Sequence, residues 1–203
     1  MNTVSILSYG IGNIKSVERA FHAIGTQPKL ISTASEIYSA DRLVLPGVGA
    51  FSACSNALRS QNLWHSILDF FKLERPFLGI CVGMQLLFEY SEEFGTYRGF
   101  GLIPGHVSLL PIQKNRKIPF VGWSKSNFIY KNSFFGNDFS KQYYFIHSYA
   151  GICRDNTNLL SYHEYGEEKI TSSVYKNNII GTQFHPEKSG YAGLNFLKKF
   201  VEI

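Results

Sequence analysis

The first part of the chain alternates two hydrophobic patterns. Thr3 to Ser8 is a short β-type run that ends at Gly10. Asn13 can cap a helix in which Ile14, Val17, Phe21 and Ile24 recur on one side, and Gly25 is placed to end it. Leu43-Val44-Leu45 reads as a compact buried strand stopped by Pro46-Gly47. Ser52 can cap the next helix, and a second helical stretch runs from about Leu63 to Leu73. Phe77 to Ile80 is again a buried strand, with a helix expected from about Met84 to Tyr90. Apolar strands separated by helices predict a parallel sheet covered on both faces.

From His106 to about Ile180 the pattern changes to short β-type runs rich in Tyr, Phe, Asn and Gly. Tyr143 to Ile146, Ser172 to Tyr175 and Ile179 to Phe184 predict antiparallel or mixed strands joined by turns. A last helix, about Ala192 to Val201, directs Leu194, Leu197, Phe200 and Val201 to the core. No repeat, low-complexity tract or linker interrupts the chain. The expectation is one α/β domain over residues 1–203 with a β-rich second half.

Composition narrows the function classes. Of 203 residues 44% are hydrophobic and 17% charged, enough for one sizeable core, which excludes disorder. The net charge of +5 is scattered, without the one-sided basic cluster that nucleic acid requires. Tyr143-Tyr144-Phe145 reads as a strand packing both faces, not a base-stacking platform. Cys54, Cys81 and Cys153 are odd in number and lack paired spacing, which argues against a disulfide framework or a cysteine zinc site and for a reducing compartment. The longest apolar stretch, Phe77 to Phe88, is broken by Gly79, Gly83 and Gln85 and is too short to span a membrane. Met1-Asn2-Thr3 offers no basic signal-peptide start, so a soluble cytoplasmic protein is expected.

Three motifs carry chemistry. Gly79-Ile80-Cys81-Val82-Gly83 joins a buried strand to a helix in the nucleophile-elbow pattern, with cysteine in the serine position. The turn is tight, so glycines must flank it. Cys81 at a helix N-terminus favours thiolate, and the Val82 N–H can face a developing oxyanion. The plainer reading is a buried structural cysteine. Gln183-Phe184-His185-Pro186-Glu187 closes a strand, and extended backbone places His185 and Glu187 on one side. A carboxylate beside imidazole fixes its tautomer and supports its charge. Alone such a pair is commonly a surface pair. Beside a cysteine elbow it completes nucleophile, base and orienter for acyl transfer. Pro46-Gly47-Val48-Gly49 is either an ordinary strand-end turn or a second N–H donor to the oxyanion. His22, His65, His106, His147 and His163 show no ligand spacing and read as structural or surface; Cys54 reads as core and Cys153 as an incidental thiol. No Walker loop or Rossmann fingerprint is present, so a step that uses a released amine lies elsewhere.

Gly79-Ile80-Cys81-Val82-Gly83-Met84-Gln85 and Gln183-Phe184-His185-Pro186-Glu187 resemble the class I (triad) glutamine amidotransferase family. Tyr9 to Asn13, Leu45 to Phe51, Gly101 to Gly105, Phe145 to Tyr149 and Lys188-Ser189-Gly190 extend the likeness to the glutaminase subunits of imidazole glycerol phosphate synthases. The resemblance covers essentially the whole chain and implies a flavodoxin-like, mostly parallel sheet flanked by helices. It implies that Cys81 attacks the side-chain amide of L-glutamine, that His185 shuttles the proton, and that Glu187 orients His185. It further implies an oxyanion hole from Val82 and the Gly47, Val48, Gly49 segment, which is thought to switch conformation on docking. Gln85, Ser148 and Tyr149 would hold the substrate. No cofactor or metal is implied. The implied partner is a (β/α)8-barrel cyclase subunit in a heterodimer, facing Asn13 and Trp123 and receiving ammonia through a tunnel. A related role, supplying ammonia for amidination of a surface-polysaccharide sugar, is the alternative. The presence of all three triad residues argues against a non-catalytic module, and the His-Pro-Glu match argues against a cysteine peptidase. Phe120, Ser124 and Ser8 depart from the histidine, asparagine and aspartate usual in the family. Phe120 is expected to make the partner junction drier and more apolar.

Overall fold

The computed structural model describes residues 3–114, 116–129, 135 and 137–203. Its first part comprises β1 (Val4–Leu7), α1 (Ile14–Ala23), β2 (Pro28–Ile31), α2 (Ala34–Ser39), β3 (Leu43–Gly47), α3 (Phe51–Ser60), α4 (Leu63–Lys72) and β4 (Phe77–Cys81). Then come α5 (Val82–Gln85), β5 (Phe88–Ser91), β6 (Tyr97–Arg98), β7 (Ile103–Leu109), β8 (Phe120–Lys125) and β9 (Asn127–Phe128). The chain closes with β10 (Gln142–His147), β11 (Tyr149–Cys153), β12 (Leu159–Tyr165), β13 (Glu168–Lys176), β14 (Ile179–Thr182) and α6 (Gly190–Val201).

The main sheet has the order β2-β1-β3-β4-β14-β13-β12-β9. From β2 to β14 all neighbours are parallel, and from β14 to β9 all are antiparallel. β1, β3 and β4 are buried along their whole length, in keeping with their mainly apolar runs. Helix α1 packs against α6, and α4 against α2 and α3. A second sheet, β11-β7-β5-β6, and the β8–β10 ribbon complete the β-rich half.

The structure corrects four local readings. β2 and α2 were not foreseen, although Thr33 and Glu36 form a reciprocal capping box that opens α2. Strand β3 continues through Pro46 and Gly47, which pair with Ile80 and Cys81. Its pairing with β1 ends at Val44, so Pro46 sits where one flank is open and a missing N–H is tolerated. Helix α3 starts at Phe51, which leaves Ser52 inside the first turn; the Phe51 N–H donates instead to the Glu93 carboxylate at 2.6 Å. The helix expected over Met84–Tyr90 is the single turn α5 followed by strand β5. The Leu86 and Phe88 carbonyls accept from the Phe100 and Gly101 N–H groups, so they are unavailable to a longer helix.

The register decides where the site lies. β4 is flanked by β3 and β14, with Cys81 opposite Gly47 and Ile80 opposite Thr182. Both neighbouring strands therefore end beside Cys81, at the carboxyl edge of the parallel strands, where open α/β sheets bind ligands.

Candidate active site

Cys81 has φ 57° and ψ −111°, a left-handed backbone that costs a non-glycine residue on the order of 1–3 kcal/mol. The surroundings enforce it. A Cβ on Gly83 would overlap the Leu45 carbonyl oxygen, and one on Gly79 would overlap the Gly83 carbonyl, so only glycine lets α5 lie against the sheet. Since α5 is one turn long, the free N–H groups beside Cys81 matter more than any helix macrodipole.

His185 and Glu187 meet, but by a different backbone route than extended i, i+2 geometry. His185 is extended, and Pro186–Lys188 forms a 3-10 turn that swings Glu187 beneath the ring. His185 Nδ1 lies 2.8 Å from Glu187 Oε1, and both side chains are sealed from solvent. A carboxylate accepts, so Nδ1 carries the proton. Nε2 closes no standard hydrogen bond. Burial opposes charge on the ring, but interactions with the Cys81 and Glu187 side chains outweigh it and push His185 up to about 10.

A cavity of about 510 Å³ opens over this pair. Among the expected residues Cys81, Val82, Val48, Gly49, Gln85, Ser148, Tyr149, His185 and Asn13 line it. Glu187 stands behind His185, and Gly47 pairs with Cys81 in the sheet. A Cβ on Gly47 would lie 2.7 Å from the Gly83 N, so this segment can approach the elbow only as glycine. The segment is tethered on both sides of Gly47: Tyr9 Oη donates to the Pro46 carbonyl at 2.8 Å and Cys54 Sγ to the Val48 carbonyl at 3.6 Å. Cys54 is buried, as expected, and burial pushes its thiol up to about 11.

Several lining residues escaped sequence reasoning. Glu93 brings a carboxylate into the wall, and Lys188 brings an ammonium. His147, read as structural or surface, also lines the cavity while almost wholly buried. Its Nδ1 lies 3.0 Å from the Tyr149 carbonyl, which can only accept, so Nδ1 is protonated. Burial holds its pKa down to about 4, and the charge of His185 adds to the effect. Gln183 is fully buried and places Nε2 3.6 Å from Cys81 Sγ. Among the described residues no group of His, Cys, Asp and Glu is arranged to hold a metal ion.

Around the mouth, β8 and β10 present an apolar face. Trp123 is 55% exposed and meets the Tyr144 ring edge-on, while Val121 pairs with Ile146, which also lines the cavity. Phe120 does not join this face. Strand phase turns its ring inward, stacked 5.4 Å from His163 and in contact with Phe145, His147 and Tyr165. The drier outer surface expected from Phe120 is instead made by Val121, Trp123 and Ile146.

Comparisons with known proteins place the chain in a family. The family described as glutamine amidotransferase class-I matches residues 5–203. The chain is 43% identical over 204 residues to the imidazole glycerol phosphate synthase subunit HisH of Lactococcus lactis, covering 100% of this chain and 99% of that one. It is 38% identical to the chloroplastic imidazole glycerol phosphate synthase hisHF of Arabidopsis thaliana, covering 98% of this chain and 34% of the relative. Among solved structures, PurLQS from Thermotoga maritima superposes with a TM-score of 0.76 at 17% identity, covering 98% of this chain and 97% of the other, a likeness of fold. With its triad-like cluster at the edge of a mostly parallel sheet and a family match over nearly its whole length, the chain belongs to the class-I glutamine amidotransferases.

Proposed function

We propose that this chain hydrolyses L-glutamine to glutamate and ammonia for imidazole glycerol phosphate synthesis in histidine biosynthesis. The observation that carries the chemistry is the buried His185, with Glu187 on Nδ1 and Cys81 as its other charge-supporting neighbour, on the wall of a cavity. The pathway reading draws on the name shared by the matched relatives, which favours it over amidination of a polysaccharide sugar.

The Cys81 proton already sits on His185 Nε2, in a thiolate–imidazolium pair that the raised His185 favours, and the Cys81 sulfur bonds to the side-chain carbonyl carbon of glutamine. The oxyanion that forms is held by the Val82 N–H and by an N–H of the Gly47–Gly49 segment. His185 returns the proton to the amide nitrogen, the C–N bond breaks, and ammonia leaves a γ-glutamyl thioester. Water then loses a proton to His185 and attacks the thioester. The C–S bond breaks, Cys81 leaves as the thiolate beside the protonated His185, and glutamate departs. Glu187 keeps the Nδ1–H tautomer and stabilises the imidazolium at each transfer. Gln85, Ser148 and Tyr149 hold the substrate, and the Glu93 carboxylate suits its α-ammonium group.

The acceptor of ammonia is a (β/α)8-barrel cyclase subunit, docked on the apolar face that surrounds the cavity mouth, with Asn13 and Trp123 at the junction. The fused hisHF relative is consistent with such a pairing. Glutamate release, measured with the protein alone and with that cyclase and its ligand, tests the reading. Strong stimulation that vanishes in Cys81→Ala is expected. Undiminished hydrolysis in that folded variant would refute the nucleophile, and no stimulation beside a cyclase active on free ammonia would refute the partner.

A further inference from the structure

The Cys81 sulfur has a second neighbour besides His185, and the hydrogen bonds around it have only one consistent orientation. Gln85 Nε2 lies 2.9 Å from the Tyr149 carbonyl, which can only accept, so this atom of Gln85 is the amide nitrogen. The same nitrogen lies 3.0 Å from Gln183, so the Gln183 atom facing it is the carbonyl oxygen. The NH2 of Gln183 must then face Cys81 Sγ, at 3.6 Å. Gln183 is fully buried, and its backbone is fixed by a 2.7 Å hydrogen bond to the Ser172 carbonyl just past β14. Two carboxamides in series thus link the carbonyl of Tyr149, on the cavity wall, to the sulfur.

We infer that Gln183 is a positioning residue that donates a hydrogen bond to Cys81 Sγ, aims the sulfur into the cavity and stabilises its thiolate. The inference rests on Cys81 being the nucleophile. A neutral donor suits this place, because it supports the anion without competing with His185 for the proton. Gln85 acquires a second task, since it fixes which end of Gln183 faces the sulfur.

The test is Gln183→Glu, which keeps the shape and removes the donor once ionised, with Gln183→Met as an uncharged second variant. Cys81 alkylation by iodoacetamide is followed against pH by mass spectrometry, with Cys81→Ala as the blank, beside steady-state glutaminase assays. Loss of the donor is expected to slow alkylation at neutral pH about tenfold and to move its midpoint upward by about one pH unit. It is expected to lower kcat by about tenfold or more with KM little changed. In Gln183→Glu, acidification that protonates the new carboxyl restores a donor, so the ratio of its alkylation rate to that of Gln183→Met rises as pH falls. Folded variants with the wild-type alkylation profile and kcat would overturn the inference while leaving the Cys81 reading intact. An active Cys81→Ala would overturn both.

Discussion

Buried imidazoles occur in two neighbouring regions, with opposite charge preferences. At the cavity, His185 is 2% exposed and held with its pKa near 10 by Cys81 and Glu187 despite burial. The other region holds His147, which also lines the cavity, and His163, whose rings are 5.7 Å apart. Phe120 and Phe145 pack on them, with the Tyr149 carbonyl and the Ser172 hydroxyl as their polar partners. These two are held neutral: burial brings His163 down to about 3 and His147 to about 4. Burial is similar in both regions, so the partner decides the charge. A carboxylate on one nitrogen and the Cys81 side chain nearby favour the charged ring. Neutral partners and aromatic rings make a packing element.

Glu187→Gln breaks the contrast most sharply. It keeps the shape but removes the charge that supports His185. Glutaminase kcat is expected to fall by about a hundredfold to ten-thousandfold, as when the orienting carboxylate of a triad is lost. The His185 titration followed by NMR is expected to move down towards the ordinary histidine range. An unchanged titration would refute the pairing. Gly83→Ala, at the base of the elbow, is expected to destabilise the fold by about 3 kcal/mol or more in urea unfolding, because its Cβ meets the Leu45 carbonyl.

The pH dependence of stability sharpens the same comparison. His147 and His163 have folded pKa values below the ordinary histidine value of 6.5, so the unfolded chain binds more protons as pH drops below it. Stability is therefore expected to fall between pH 6.5 and about 4 for His147, by about 3 kcal/mol, and on to about 3 for His163, by about 5 kcal/mol. His185 has the opposite sign. Its contribution is complete below 6.5 and is lost as pH rises through about 10. Urea unfolding across this range checks both limbs, and His163→Gln is expected to flatten the acid one. Phe120→His adds another imidazole to the neutral cluster and is expected to cost about 1–3 kcal/mol, more at acid pH. Trp123→Ala, on the exposed face, is expected to change stability by less than about 0.5 kcal/mol and to show its effect in stimulation by the cyclase.

The same contrast explains what was legible in the sequence. The elbow around Cys81 was readable because its glycines answer to local sterics. His185 and Glu187 were readable because they are two residues apart, although the turn between them was not the extended one foreseen. The parallel strands β1, β3 and β4 announced themselves as mainly apolar runs. Gln183 reaches the Cys81 sulfur, and Glu93 and His147 reach the cavity, through pairings distant in sequence, which no local spacing encodes. Phe120 was misplaced because which way a strand residue faces depends on a phase fixed by β10 across the ribbon. β2 was hard to see because only Ile31 in it is buried, whereas the capping box of α2 was present and unused.

The most direct test of the central claim is covalent labelling with a diazoketone analogue of glutamine, followed by peptide mass spectrometry in the presence of the cyclase. The expected result is one adduct, on Cys81, suppressed by excess glutamine and greatly slowed in Glu187→Gln. Inactivation with Cys81 unlabelled, or with the adduct on Cys54 or Cys153, would contradict the account.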